Sequence, residues 1–181
     1  MPASRTSPAP LTISVNHAVT LTVRDSAQLF KSTTLDPVAR ETLVTGPSTE
    51  RLKIAFAPTP VNGATLDADT QAGIERTARL CRDLGHEVID YSIPLDGEAF
   101  GDKFLMYWAA GAAQFAQQAS DFSGKPPSPE ILEPWTLGLA MQFLQRATEI
   151  EDVIAYLLAF EAEYHSWFSD FDLMLTPAVT S

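Results

Sequence analysis

Hydrolysis by a side chain requires a nucleophile, a base within hydrogen-bond reach of it and donors for the developing oxyanion. The 181-residue sequence supplies these residue types without the spacings that commonly join them. No GxSxG or SxxK run occurs, which excludes the serine constellations those runs mark. HExxH is absent as well, and His17, His86 and His165 lie far apart, none with a second His or Cys at ligand spacing, so each is expected in a hydrogen-bonded structural role and no metal site is expected. The single thiol, Cys81, excludes an internal disulfide, a CxxC redox pair and a cysteine-based zinc site. Its place beside Ile74 and Ala78 on an apolar helix face predicts a buried, inert thiol. Asp170 and Asp172 straddle Phe171 and could form an acid/base pair, although such carboxylates more often cap or solvate the junction between a helix and a strand.

Three tryptophans complete the candidate residues. Trp108, Trp135 and Trp167 lie on amphipathic patterns, where aromatic residues are core by default. The run FLMYWAAG also sets Trp108 beside Ala109, Ala110 and Gly111, where a flat ligand could pack closely. Trp108 and Trp135 are therefore the candidate lining of a substrate pocket.

The elements that must position these residues follow from periodicity. Residues 1–15 are rich in Ser, Thr and Pro and are expected to be irregular; 16–35 carry a helical pattern through Val19, Val23, Ala27 and Phe30; 36–50, with Pro37, Gly46, Pro47 and Ser48, read as a linker. Leu52–Ala57 (LKIAFA) is a short apolar strand. Asp67 can cap the helix that follows, whose Ile74, Ala78, Cys81 and Leu84 share a face and which Gly85 stops, and His86–Tyr91 is a second strand. Strand, helix and strand in this length predict a βαβ unit with parallel strands. Asp90 then stands where a ribose-binding acid would sit in a dinucleotide site. The intervening PTPVNGATLDAD denies that reading, having one glycine, Gly63, and two carboxylates, Asp67 and Asp69, that would repel phosphate at the helix N-terminus.

Three amphipathic helices are predicted next, through Phe100, Phe104, Tyr107, Gly111 and Phe115; through Trp135, Leu139 and Phe143; and through Val153, Leu157, Phe160, Tyr164 and Trp167. The connector KPPSP (Lys125–Pro129) cannot be helical, and Pro134 suits only a first turn. A last strand is expected at Leu173–Thr176.

Composition narrows the class. Apolar residues at 45% and charged residues at 19% exclude a disordered chain. The longest apolar stretch, Phe104–Ala113, is about half of a bilayer span. The net charge of −11 argues against nucleic acid and anionic membrane as partners. It is uneven: residues 1–90 hold 9 bases and 10 acids, residues 91–181 only 3 bases and 13 acids, a pattern expected of helices with solvated acidic faces. Met1–Pro10 offers Ser, Pro and Ala around Arg5 in place of an export signal, so a cytoplasmic location is expected.

The order of segments carries a resemblance. SVNHAVTLTVRDSAQLF (Ser14–Phe30) resembles the segment that follows the catalytic core in amidase signature enzymes, with Asn16–Thr20 matching the NHAVT loop and Val23, Arg24, Asp25, Ser26 and Ala27 its VRDSA helix. RLKIAFAPTPVNG, LCRDLGHEV, FGDKFLMYWAAG and FDLMLTPAVT are similar, in the same order, to the C-terminal half of bacterial members of that family. The resemblance implies an α/β fold, here a βαβ unit plus amphipathic helices packed on a mixed sheet, and amide hydrolysis without metal or organic cofactor. It also implies a Lys that activates a Ser in a cis peptide bond, a relay from this Ser to a nucleophilic Ser, and backbone amides of a Gly-Ser-rich loop at the oxyanion.

Those triad residues belong to family sequence upstream of the NHAVT loop. This chain has no Gly-Gly-Ser-Ser run, and Lys31, Lys53, Lys103 and Lys125 lie in segments that do not match the family's catalytic Lys, so no catalytic residue is assigned. Relatives also usually continue beyond the TPA motif. The expectation is a C-terminal fragment of an amidase, with 16–181 a partial amidase-signature domain, inactive alone and acting on a small-molecule amide only if the missing half is supplied. The alternative is a non-catalytic binding module that pairs with another chain, either a second copy in a homo-oligomer or a complementing half.

Overall fold

The computed structural model describes Leu11, Ile13 and residues 17–41 and 49–180, in two units that divide between Glu50 and Arg51. Most of the stretch expected to be irregular, and Asn16, Gly46, Pro47 and Ser48, lie outside the described residues.

In the first unit, α1 spans Val23–Thr33 and α2 spans Pro37–Glu41. The helical pattern expected from Val19 begins later, because Thr22 adopts extended backbone and its Oγ1 accepts from the Asp25 N–H at 3.1 Å, which fixes the first turn. Val19 precedes that cap and is exposed. The expected linker also needs correcting at its start: the Asp36 carboxylate accepts from the Val38 N–H at 2.9 Å, and Pro37, tolerated in a first turn, opens a short helix. Arg40 folds back, its Nε donating to the Thr34 carbonyl at 2.6 Å, beside the buried Thr34.

The second unit holds the sheet. Its elements are β1 (Lys53–Phe56), α3 (Ala68–Asp83), β2 (Glu87–Asp90), α4 (Gly97–Ser123), α5 (Pro134–Arg146), a 3-10 turn (Ala147–Glu149), α6 (Ile150–Trp167) and β3 (Leu173–Leu175). Strand order is β2-β1-β3 and both pairings are parallel, with Ile54 opposite Val88 on one side and Leu173 on the other. The predicted βαβ unit is thus present, and the third strand lies on the far side of β1.

Each terminus has an identifiable cause. Asp67 caps α3 by accepting from the N–H groups of Asp69 and Thr70 at 2.9 and 3.0 Å. Gly85, at φ +88°, turns the chain out of the helix in a left-handed conformation suited to glycine. Phe56 packs with Ile74 and Ala78 of α3, flanked by Val88 and Leu175, which joins sheet and helix. Two expectations for that helix face change: Cys81 is half-buried, and Leu84 is exposed because it is the C-cap, where the helix has already ended. His86 is structural, its Nδ1 accepting from the Leu52 N–H at 3.1 Å. Asp172 closes the start of the β1–β3 pair: its Oδ2 accepts from the Lys53 N–H and its own N–H donates to the Lys53 carbonyl, both at 2.8 Å. That role is the capping alternative for the Asp170/Asp172 pair.

All three predicted helices form. Helix α4 packs along α5 and α6. Ala116 meets Leu132 and Ala140 in one cluster, while Met106 and Val153 are the largest fully buried side chains. The KPPSP connector is non-helical, and Pro134 occupies the first turn of α5.

Candidate functional site

In an open parallel sheet, ligands bind outside the carboxyl ends of the strands where the strand order reverses. Here the chain leaves β1 for β2 on one side and returns to β3 on the other, so the reversal falls between β1 and β3. The loops at that rim are bonded to one another. The Ala57 N–H donates to the Leu175 carbonyl at 3.0 Å, Tyr91 N–H to Phe56 O at 2.8 Å, and Asp67 N–H to Thr180 O at 2.9 Å. Gly97, the first residue of α4, closes the rim from the side: a Cβ built on it would stand 1.7 Å from the Val61 carbonyl oxygen and 3.0 Å from the Asn62 nitrogen. No larger residue lets α4 start against the β1–α3 loop.

The rim's chemistry is carried by backbone groups and acids. The N-terminus of α3, which would otherwise attract an anion, is occupied by Asp67, whose carboxyl is held below its ordinary range by hydrogen bonds from the Thr70 hydroxyl and then the backbone N–H groups. A phosphate finds its place taken, in line with the denial of a dinucleotide site. Among the described residues, no group of three or more His, Cys, Asp and Glu side chains is placed to hold a metal ion.

A ladder of rings ties the rim to the helices. Tyr91, which follows β2, meets Phe171 at 5.1 Å; Phe171 meets Phe168 at 5.0 Å, and Phe168 meets Tyr164 at 5.3 Å. The series continues through Phe160, Phe100 and Phe104 to Trp108 at centroid distances of 6.0, 4.6, 5.9 and 6.3 Å. Each such pair contributes about 0.5–1.5 kcal/mol beyond its area, so Trp108 is held in place from one side. Its other side is open: Trp108 is 48% exposed and Trp135, on α5, is 64% exposed. The core default fails for both and is met in part by Trp167, which is half-buried against Phe160 and Tyr164. The structure brings Trp108 and Trp135 onto neighbouring helices, α4 and α5.

Sequence reading missed the clamp that fixes those helices. Arg146, at the end of α5, donates from Nη1 and Nη2 to the two oxygens of Asp102 on α4, at 2.7 and 2.9 Å. Its Nε and Nη2 also donate to Glu149, at 2.9 and 2.8 Å. Only the Arg146–Glu149 spacing of three residues was legible in the sequence; the bidentate partner lies 44 residues away. The hydrogen bonds from Arg146, ahead of its charge, hold both carboxyls below their ordinary range despite an opposing effect of burial. A carboxylate whose folded pKa is depressed stabilises the fold above its unfolded value of about 4 and loses that contribution as pH falls through the folded value. The melting-temperature gap between the wild-type chain and Arg146→Met is therefore expected at neutral pH and shrinks as pH drops below about 4; a gap unchanged into the acid range counts against the clamp.

Comparison with known proteins agrees with this architecture. The amidase family, described as "Amidase", matches residues 1–181. AmiC of Mycobacterium leprae, a protein named as an amidase, is 28% identical over 177 residues, and the AmiC proteins of Mycobacterium bovis and Mycobacterium tuberculosis are 29% identical. Each alignment covers 94% of this chain and 37% of the relative, so the chain spans little more than a third of these relatives' length. Among solved structures, 6-aminohexanoate cyclic dimer hydrolase matches at a TM-score of 0.68 and 20% identity, covering 88% of this chain and 36% of that one, a likeness of fold. With its whole length matched by the family, this chain belongs to the amidase family.

Proposed function

We propose that this chain is the C-terminal portion of an amidase-signature hydrolase, with 16–181 a partial domain of that fold, and that it contributes pocket walls to cleavage of a small-molecule amide. The observation that carries the reading is a family match over the whole chain joined to coverage of only 37% of the relatives. The family's Ser-Ser-Lys triad has no counterpart here, since no Gly-Gly-Ser-Ser run occurs and the four lysines lie outside the catalytic match. Walls without a nucleophile or oxyanion donors stabilise no acyl-transfer transition state, so the chain alone is inactive. Trp108 and Trp135 are the proposed lining: both rings are exposed, and the Trp108 ring is braced from behind by the ladder. The chemistry needs no metal or organic cofactor. Among the described residues, no helix is long and apolar enough to cross a membrane.

The test is a release assay on the purified 181-residue chain with simple aliphatic and aryl amides. No ammonia or amine above the rate of a mock preparation is expected. Turnover that co-purifies with the chain and tracks its concentration would overturn the reading.

A further inference from the structure

Helix α4 carries an apolar stripe that the described residues cover only in part. Trp108, Phe115 and Phe122 are seven residues apart, so they fall on one side of the helix and span about 21 Å of its length. They are 48%, 55% and 96% exposed, whereas the faces turned to the neighbouring helices bury Met106, Tyr107, Ala109 and Ala116. Gly101 and Gly111 lie on the same side of α4, and a Cβ on either meets nothing within 4 Å. Glycine weakens a helix interior, and among the described residues no contact requires it at those two positions.

We infer that the Trp108–Phe115–Phe122 face of α4 is where the rest of the amidase fold docks, the two glycines admitting its backbone close to the helix. This inference rests on the reading of the chain as one portion of an amidase. The matched fold is well over twice the length of this chain, and the chain overlays on 36% of it at a TM-score of 0.68, so this portion is bordered by much more polypeptide in that fold. Exposed Trp and Phe have the composition of an interface core. The stripe itself is uncharged within a half that carries 13 acids against 3 bases. That setting disfavours a second copy, which would bring another chain of net charge −11 against the first. The pocket proposed at Trp108 then forms where the two portions meet.

Co-expression of the 181-residue chain with an affinity-tagged remainder of Mycobacterium leprae AmiC, the part outside its alignment with this chain, tests the surface. The wild-type chain is captured one to one. Phe115→Ser and Gly111→Leu lower capture at least tenfold while the circular dichroism of each chain alone is unchanged. Gly111→Ala raises the melting temperature of the chain alone yet weakens capture, a combination that a folding defect cannot produce. No capture of the wild-type chain, or variants captured as well as wild type, overturns the inference, as does a stripe-dependent dimer of this chain that excludes the AmiC remainder. Amide hydrolysis by the mixture reports separately. Hydrolysis insensitive to the stripe variants removes the docking face and leaves the proposed function standing, whereas stripe-dependent capture without hydrolysis does the reverse.

Discussion

Gly97→Ala is expected to destabilise the folded chain by about 3 kcal/mol, at the upper end of the range for forcing an extra methyl group into a packed site. The reason is geometric. A Cβ at that position would stand 1.7 Å from the Val61 carbonyl oxygen and 2.4 Å from its carbon, and both are backbone atoms that no rotamer change can remove. Either α4 retreats or the β1–α3 loop shifts, and that loop belongs to a bonded set: Gly63 N–H to Pro60 O at 3.1 Å, Ala64 N–H to Asn62 Oδ1 at 3.1 Å, Asp67 N–H to Thr180 O at 2.9 Å. The φ of Gly97 is not in the left-handed region, so the requirement is for space and not for glycine's torsional freedom. Chemical denaturation checks the magnitude. Gly101→Ala is the control four residues on, where a Cβ meets nothing within 4 Å and the chain alone becomes slightly more stable. Equal losses at the two positions would sink the account.

That pair of glycines also marks what the sequence could and could not convey. Both stand in one helix, α4, and look alike as letters; only the fold distinguishes the one pressed on a loop 36 residues earlier from the one facing open space. The same division runs through the chain. The β1–α3–β2 unit was legible because its signals are local: an apolar run, Asp67 as a cap, Gly85 as a stop. That β3 pairs with β1, with Leu173 opposite Ile54, was not, because the pairing joins residues 119 apart and is sealed by Asp172 on the Lys53 backbone. Val19 was misassigned since four-residue spacing continues on paper past a cap that ends it in space. The opening of α2 carried a legible signal in Asp36–Pro37 that a lack of long-range periodicity concealed.

The candidate site shows the same limit in a sharper form. Periodicity placed Trp108 and Trp135 on amphipathic helices, and amphipathicity implies a covered face. The structure leaves both rings exposed because the described elements cover only part of each helix's apolar surface. The acidic second half, by contrast, was legible in kind: Glu151, Asp152, Glu161 and Glu163 are all exposed along α6, as solvated faces should be.

Met106 and Trp108 give the second large contrast, two residues apart on α4 with opposite fates. Met106 is fully buried, as is Val153 on α6. Met106→Ala removes three heavy atoms from a site enclosed between packed helices, and Met→Ala changes of this kind cost about 2–5 kcal/mol, the upper values where the surroundings cannot collapse. Collapse is restricted here, since α4 is pinned to α5 by the Arg146–Asp102 bonds and to α6 by the Phe100–Phe160 ring pair at 4.6 Å. A loss of about 3–4 kcal/mol is therefore expected on denaturation. Trp108→Ala deletes a larger side chain but one that is 48% exposed and has its ring contact with Phe104 on one side only, so the isolated chain should lose about 1 kcal/mol. The ranking inverts when association is read instead: with the AmiC remainder as partner, Trp108→Ala weakens capture by at least as much as Phe115→Ser, while a Met106 variant mild enough to fold, Met106→Leu, leaves capture unchanged. A chain in which Trp108→Ala unfolds as readily as Met106→Ala would show that the stripe is internal core, and both the open face and the pocket wall drawn on it would have to be given up.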